Sequence, residues 1–157
     1  MSRDIKFRVW HKQNKVMMWL KQIVWFPDRE ERILAYSFDQ REPDFVGSLC
    51  HLEMMEYTGI NDKNGKEIFE GDIVFDGFVY KTVVQYQGSW QLKRDYSGLD
   101  DGEPYEGTFY TPLWMWIEKI NTIEVVGNIH ENPELLKKDI DVVGNIYEKP
   151  NLSGKGG

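Results

Sequence analysis

Apolar and polar side chains alternate in short runs along most of this chain, and a period of two predicts β-strands rather than helices. Residues 5–10 alternate strictly, residues 11–15 are polar, and residues 16–20 resume an apolar run. This order predicts a β-hairpin at the amino-terminal end of the chain. Further short strands are predicted in the first half at residues 23–26, 32–38 and 49–58.

The alternation continues in the second half of the chain. Residues 73–75 begin a β-branched and aromatic run, and residues 79–93 alternate on both sides of a Gln87-Gly88-Ser89 turn. Together they predict a three-stranded antiparallel meander, which suits a small SH3-like barrel because closure of a barrel removes exposed strand edges. The expected fold class is therefore mainly β, either all-β or β-rich α+β, built from antiparallel hairpins.

Three further segments complete the prediction. Residues 95–107 combine acidic side chains with Gly and Pro, so we expect a long, solvated acidic loop there. Residues 109–117 are apolar and aromatic, and we expect a strand whose Trp114 and Trp116 pack in the core. One short helix is expected near residues 133–138, with Asn132 as its cap and Pro133 at its first position.

The most distinctive stretch is residues 57–74, which contains three glycines and an Asn-Gly pair. Asn64-Gly65 is the preferred pair for a type I′ hairpin turn, and Gly71 permits a second reversal in a left-handed conformation. Three glycines make a helix improbable, because each costs about 1 kcal/mol relative to alanine. The residues expected to shape the backbone here and at a later Gly-Asn pair are Tyr57, Gly59, Asp62, Asn64, Gly65, Glu70, Gly71, Asp72, Gly127 and Asn128.

The carboxylates of this stretch also raise the question of a metal loop. Asp62, Glu70 and Asp72 are the candidate ligands, but an EF-hand needs ligands at alternating positions and a closing Glu, which this spacing lacks. We therefore expect these carboxylates to form turns, and we expect neither a metal nor a cofactor.

Residues 57–74 resemble the central signature of the YopX-like family of phage and prophage proteins. Two flanking pieces, residues 5–10 and residues 125–136, are similar to that family as well. The resemblance implies a phage-type setting and a mostly β fold. It implies no reaction, and it carries over no catalytic residues.

Length and composition indicate one soluble intracellular domain. The chain has 157 residues, enough to bury a core, and it subdivides at most into residues 1–56, 57–130 and 131–157. Cys50 is the only cysteine, so no internal disulfide can form, which fits a reducing cytoplasm. The start of the chain has no apolar signal-peptide core, and no run is long enough to span a membrane, so we expect no membrane association.

Charge is distributed unevenly, which raises the possibility of nucleic-acid binding. The chain carries a net charge of −7, yet its first 25 residues are basic. Cations next to an indole can contact phosphates and stack on bases, and the candidate residues are Lys6, Arg8, Trp10 and Lys12. The favoured interpretation is that the aliphatic parts of the Lys and Arg side chains pack on Trp10 at a solvent-exposed face.

Cys50-His51 is the only candidate for nucleophilic or metal chemistry that includes a cysteine. Neighbouring residues on a strand point to opposite faces, so this pair cannot easily act together as nucleophile and base. We therefore expect an inert buried thiol beside a surface histidine.

The end of the chain repeats itself. Residues 123–133 recur as residues 140–150, seventeen positions later, with the shared core Val-Val-Gly-Asn-Ile. The YopX-like pattern includes one copy, so the second copy would be an added edge strand or a strand that pairs with a neighbouring subunit. Residues 151–157 are expected to form a loose tail.

The sequence contains none of the local motifs of phosphate loops, zinc proteases or serine hydrolases. The leading hypothesis is a non-enzymatic binding or assembly module of phage origin that forms a homo-oligomer, with any phage or host partner unidentified. The alternatives are nucleic-acid binding by the amino-terminal hairpin and a hydrolase whose carboxylates converge only in space.

Overall fold

A computed structural model describes residues 4–24, 32–36, 45–47, 49–119 and 122–137. These residues form two antiparallel sheets, which include a curled half-barrel, so the fold is mainly β as predicted. The second copy of the repeat and the carboxy-terminal tail lie outside the described residues. In the described part of the chain, every helix is too short or too polar to span a bilayer.

The first sheet has six strands in the order β4-β3-β2-β1-β5-β6. It confirms the predicted amino-terminal hairpin, whose two strands pair Arg8 with Trp19 and His11 with Val16. Lys15 closes the hairpin with a positive φ of 56°. The strands are β1 (Phe7–His11), β2 (Val16–Val24), β3 (Arg32–Tyr36), β4 (Phe45–Gly47), β5 (Leu52–Asn61) and β6 (Glu67–Phe69).

The second sheet has five strands in the order β10-β9-β8-β7-β11. The predicted meander is confirmed as β7, β8 and β9, and its turn lies at Gln87 and Gly88, which both have positive φ. The strands are β7 (Asp72–Phe75), β8 (Tyr80–Tyr86), β9 (Ser89–Asp100), β10 (Glu103–Pro112) and β11 (Glu124–Asn128).

The prediction of a loop at residues 95–107 is wrong. This segment belongs to the long β9–β10 hairpin, which pairs Glu103 with Asp100 and continues to Pro112 opposite Gln91. Asp101 and Gly102 form its two-residue turn with φ values of 49° and 86°. Two successive residues with positive φ suit the right-handed twist of a hairpin, and Asp-Gly is a favoured pair for this turn.

The prediction of a strand through residue 117 is also wrong. After β10 the chain forms the helix α1 (Leu113–Lys119), in which Leu113 is fully buried and Trp114 is exposed. Residues 49–51 form a short 3-10 helix in place of the predicted start of a strand. The short helix near residue 133 is present as one turn at residues 134–137.

The main core lies under the second sheet. It is a single apolar cluster of buried side chains from β6, β7, β8, β9, α1 and β11 and from the segment before β11. Its members are Ile68, Val74, Val83, Leu92, Leu113, Ile123 and Val125. A smaller cluster of Trp10, Met17 and Met55 lies on the first sheet. Burial of these side chains is the main favourable term that holds the strands in register.

Candidate functional site

Three of the four residues that the sequence suggested for nucleic-acid binding are engaged in contacts within the chain. Lys6 forms an ion pair with Glu67, Arg8 forms one with Asp72, and Trp10 is buried in the smaller core cluster. Lys12 is exposed, and its backbone N–H donates to the carbonyl of His51. The face of β1 that was expected to be solvated is therefore largely covered, and nucleic-acid binding stays a prediction.

Arg8 is held by three different contacts. Its Nη2 donates to Oδ1 of Asp72, its Nε donates to Sδ of Met55 at 3.4 Å, and its guanidinium lies 4.8 Å from the centre of the Phe69 ring. Oδ2 of Asp72 accepts from the Phe69 N–H at 2.8 Å. Burial raises the pKa of the Asp72 carboxyl, and the Arg8 charge and the Phe69 N–H oppose this rise.

A cleft of about 470 Å³ opens beside this ion pair, between the face of β1 and β2 and the end of β11. Its size is in the range of small-molecule sites, and it combines an apolar wall with a few converging polar groups. The apolar wall includes Met17, Trp19, Phe69 and Val126, and the polar lining includes Arg8, Lys66, Glu67, Asp72, Asn128 and Glu131. Residues from three separated parts of the sequence thus meet in one cleft.

His130 closes one side of the smaller core. Its ring stacks on Trp10 with 5.0 Å between centroids and 9° between planes. Its Nε2 is buried, has no hydrogen-bond partner of good geometry, and lies 3.3 Å from Oε1 of Glu53. Burial lowers the pKa of His130, and the Glu53 carboxylate partly opposes this change.

Asp62 organises the turn between β5 and β6. Its Oδ1 accepts from the backbone N–H groups of Asn64 and Lys66, and its Oδ2 accepts from Val125 N–H at 2.9 Å. Gly65 has a φ of 80°, whereas Asn64 is not among the residues with positive φ, so the turn is not the expected type I′. One buried carboxylate therefore shapes the turn and also ties it to β11.

Two other glycines of the motif have a left-handed backbone. Gly59 and Gly71 have φ values of 82° and 75°, and the side chain of Ile129 lies against Gly71. Gly127, in contrast, does not have a left-handed backbone. A Cβ at Gly127 would lie 2.5 Å from Oδ1 of Asn132, so the need for glycine there is steric.

Asn128 caps the turn that follows β11. Its Oδ1 accepts from the backbone N–H groups of His130 and Glu131 at 3.0 and 2.9 Å, and its Nδ2 donates to the Glu131 carboxylate. Glu70 is part-buried, and burial raises its pKa. Tyr57 is buried and donates from its hydroxyl to Oδ1 of Asn61 at 2.7 Å. Of these residues, Asn128 fixes the backbone of a turn that borders the cleft.

The remaining sequence candidates are dispersed. Cys50 is exposed rather than buried, and His51 is exposed beside it in the 3-10 helix. Among the residues that the structure describes, no three His, Cys, Asp or Glu side chains are grouped so that they could hold a metal ion.

A second buried ion pair lies in the other sheet. Asp76 pairs with Lys81 at 2.6 Å, and the Lys81 ammonium lies 3.4 Å from the centre of the Trp116 ring.

The β9–β10 hairpin carries an aromatic surface that the sequence analysis missed. We define the aromatic face as Tyr96, Tyr105 and Phe109, which lie on one side of the hairpin. Tyr96 stacks on Phe109 with 4.6 Å between centroids, and Tyr105 is 5.8 Å from Tyr96. The aromatic residues at positions 96, 105 and 109 were the available signal, but the acidic, Gly- and Pro-containing composition outweighed it.

Two glycines allow the aromatic face to lie flat on the hairpin. Gly98 lies opposite Tyr105 and Gly107 lies opposite Tyr96 in the strand register. A Cβ at Gly98 would lie 2.8 Å from the Tyr105 hydroxyl, and a Cβ at Gly107 would overlap the Tyr96 ring. On the other side of the hairpin, Tyr86 stacks on Tyr110 with 4.1 Å between centroids. The hairpin thus presents exposed aromatic rings on both sides.

Comparisons with known proteins identify a matching family and two similar solved structures. A family model described as YopX protein matches residues 6–137. The crystal structure of protein EF1440 from Enterococcus faecalis is 28% identical and aligns 86% of this chain with 99% of that chain at a TM-score of 0.46. The structure of protein yopX from Bacillus subtilis is 19% identical and aligns 83% of this chain with 97% of that chain at a TM-score of 0.47. A search among curated proteins gives no significant match.

Proposed function

This chain belongs to the YopX family, and from that premise we propose that it is a non-enzymatic binding and assembly module that associates with a second copy of itself through strand β10. The phage or prophage setting implied by the family resemblance is part of this proposal. A location inside the cell is also part of the proposal.

The position of β10 at the edge of its sheet carries the proposal. Among the described strands only β9 pairs with β10, so one side of a ten-residue strand offers its backbone groups to a further strand. Edge strands of this length are templates for pairing with another chain. Phe109 is 60% exposed and Tyr105 is 38% exposed, so apolar surface accompanies the open edge.

Charge favours a second copy of the chain as the occupant, paired antiparallel. The acidic residues of β10, Glu103 and Glu106, both lie in its first half. Pairing centred on Gly107 would place them opposite Thr111 and Thr108 of the second copy, so no like charges would face each other. The same register places Tyr105 opposite Phe109 of the second copy and extends the aromatic face across a two-fold interface.

The enzymatic alternative gains no support from the buried carboxylates. Asp62 accepts three backbone N–H groups, Asp72 pairs with Arg8, and Asp76 pairs with Lys81. A general base or nucleophile needs a carboxylate that can reach a substrate. These three are instead engaged in holding the backbone and joining strands.

Size-exclusion chromatography with light scattering tests the proposal across the micromolar range. The wild type is expected to run as a dimer, and Phe109→Lys is expected to run as a monomer because it places charge in the paired aromatic face. Phe78→Lys is the matched control, since Phe78 is 88% exposed at a different turn. A wild type that stays monomeric at every concentration would contradict the proposal.

A further inference from the structure

The edge of β7 opposite β8 is a slot that β11 fills. We call it the β7 slot. Val125 lies opposite Val74, Gly127 lies opposite Ile73, and a bulge between Val125 and Gly127 turns Val126 outwards. Outside the strand, the Ile129 N–H donates to the Gly71 carbonyl at 2.9 Å.

Several positions of the first repeat copy make specific contacts in the slot. Ile123 and Val125 are buried in the main core, and the Val125 N–H donates to Asp62. Glu124 pairs with Lys63 at 2.7 Å, and the carbonyl of Ile123 accepts from the Lys63 N–H. Three further contacts follow at the end of the strand and after it. They are made by the Asn128 cap, by Ile129 against Gly71, and by His130 stacked on Trp10.

The second copy carries the residues that these contacts require. Six of its residues are identical to their counterparts in the first copy. They correspond to the two core residues, the bulge, the glycine, the cap and the apolar residue after the cap: Ile140, Val142, Val143, Gly144, Asn145 and Ile146. Glu148 and Pro150 are identical to their counterparts Glu131 and Pro133 as well. A sequence selected only for a loose tail has no reason to preserve a buried valine, a sterically required glycine and a cap at the same spacing.

The three differences preserve most of the contact chemistry. Asp141 replaces Glu124 and keeps the carboxylate that faces Lys63, and Tyr147 replaces His130 and keeps an aromatic ring for Trp10. Lys149 replaces Asn132 and loses the acceptor that lies 3.4 Å from the Asn128 N–H. The first copy therefore fits the slot somewhat better, which agrees with its place there.

We propose that residues 140–150 are a second binding segment for the β7 slot and replace residues 123–133 there, within the same chain, when the first copy is displaced. The seventeen extra residues of connecting chain oppose this exchange only weakly, because the entropy of loop closure changes slowly with loop length. The family match ends at residue 137, so the second segment is a feature of this chain outside the matched region. This inference concerns β7 and does not depend on pairing through β10.

Aspartate substitutions in the full chain test the exchange. Val142→Asp alone is expected to leave the urea midpoint of unfolding unchanged, because the first copy fills the slot. Val125→Asp is expected to lower the midpoint modestly, and the double variant is expected to lower it at least twice as far. An equal midpoint for Val125→Asp and the double variant would overturn the proposal.

A matched control separates the slot from the rest of the core. Val83 is buried in the same core cluster as Val125 but lies on β8, outside the repeat. Val142→Asp should therefore not worsen the effect of Val83→Asp. If the aspartate variants fail to fold, Val125→Ala and Val142→Ala give the same test, and additive midpoint shifts for that pair would overturn the proposal.

A disulfide trap detects the exchanged state directly. Phe75 lies opposite Glu124, whose counterpart in the second copy is Asp141. With Cys50 replaced by serine, Phe75→Cys and Asp141→Cys should form a disulfide in a glutathione redox buffer when Val125→Asp is also present. Phe75→Cys with Glu124→Cys is the positive control. Failure to form the bond, or a bond between two chains, would overturn exchange within the chain.

Discussion

Arg8 of β1 and Asp72 of β7 form an ion pair that joins the two sheets. The Asp72 side chain is 1% exposed and the Arg8 side chain is 12% exposed, so water screens the pair little. The remaining oxygen of Asp72 accepts from the Phe69 N–H, and Phe69 also lies beneath the guanidinium. Both residues of this pair line the cleft.

Asp72→Asn should strongly destabilise the fold. The substitution leaves a buried guanidinium without an anion, and removal of one partner of such a pair costs about 3–5 kcal/mol. The free energy of unfolding from urea titration measures this loss. Glu67→Gln is the control, because its pair with Lys6 is partly exposed and screened by water, so its loss should be much smaller. Similar losses for the two variants would show that the Arg8 pair does not join the sheets as described.

Asp62→Ala should destabilise the fold by about 1–3 kcal/mol, since it leaves the buried Val125 N–H without an acceptor and removes the bonds that form the turn. Asp62→Asn keeps one acceptor oxygen and should lose less. Chemical denaturation of both variants measures the difference. An alanine variant as stable as the wild type would mean that Gly65 and the flanking strands fix the turn unaided.

His130 should make stability depend on pH. The pKa of His130 is lowered in the folded protein. As the pH falls, His130 of the unfolded chain therefore takes up its proton first, near the ordinary histidine pKa of about 6.5. The stabilisation is therefore present above that pH and is lost as the pH falls towards the folded pKa, by less than about 1.4 kcal/mol per pH unit. His130→Phe keeps a ring for Trp10 and should remove this loss. Parallel pH profiles of unfolding for the two proteins would contradict the assignment to His130.

The strands that the sequence predicted best are those with local signals. Alternation identified β1 and the β8–β9 hairpin, and an unbroken β-branched run identified β7, which is buried at residues 72–74. The β9–β10 hairpin was missed because its faces are largely exposed, so aromatic residues alternate with acidic residues and glycine rather than with a buried apolar set. Only the Asp101-Gly102 pair marked its turn locally.

The contacts of the cleft could not be predicted from sequence. Arg8 and Asp72 lie 64 positions apart, and Asp62 and Val125 lie 63 positions apart. Such pairs arise from the order of strands in two sheets, which no local pattern specifies. The motif residues were recognised as important for the backbone, but the sequence gives no indication that Asp72, Gly127 and Asn128 line the same cleft as Arg8.

Amide hydrogen exchange of β10 as a function of protein concentration tests the assembly account most directly. If a second copy pairs along the open edge, alternate amides of β10 that face away from β9 should become protected as the concentration rises, while amides of Phe78 and its turn keep their rates. Phe109→Lys should abolish the change. Exchange in β10 that is fast and independent of concentration in the wild type would contradict the claim that this strand is an assembly edge.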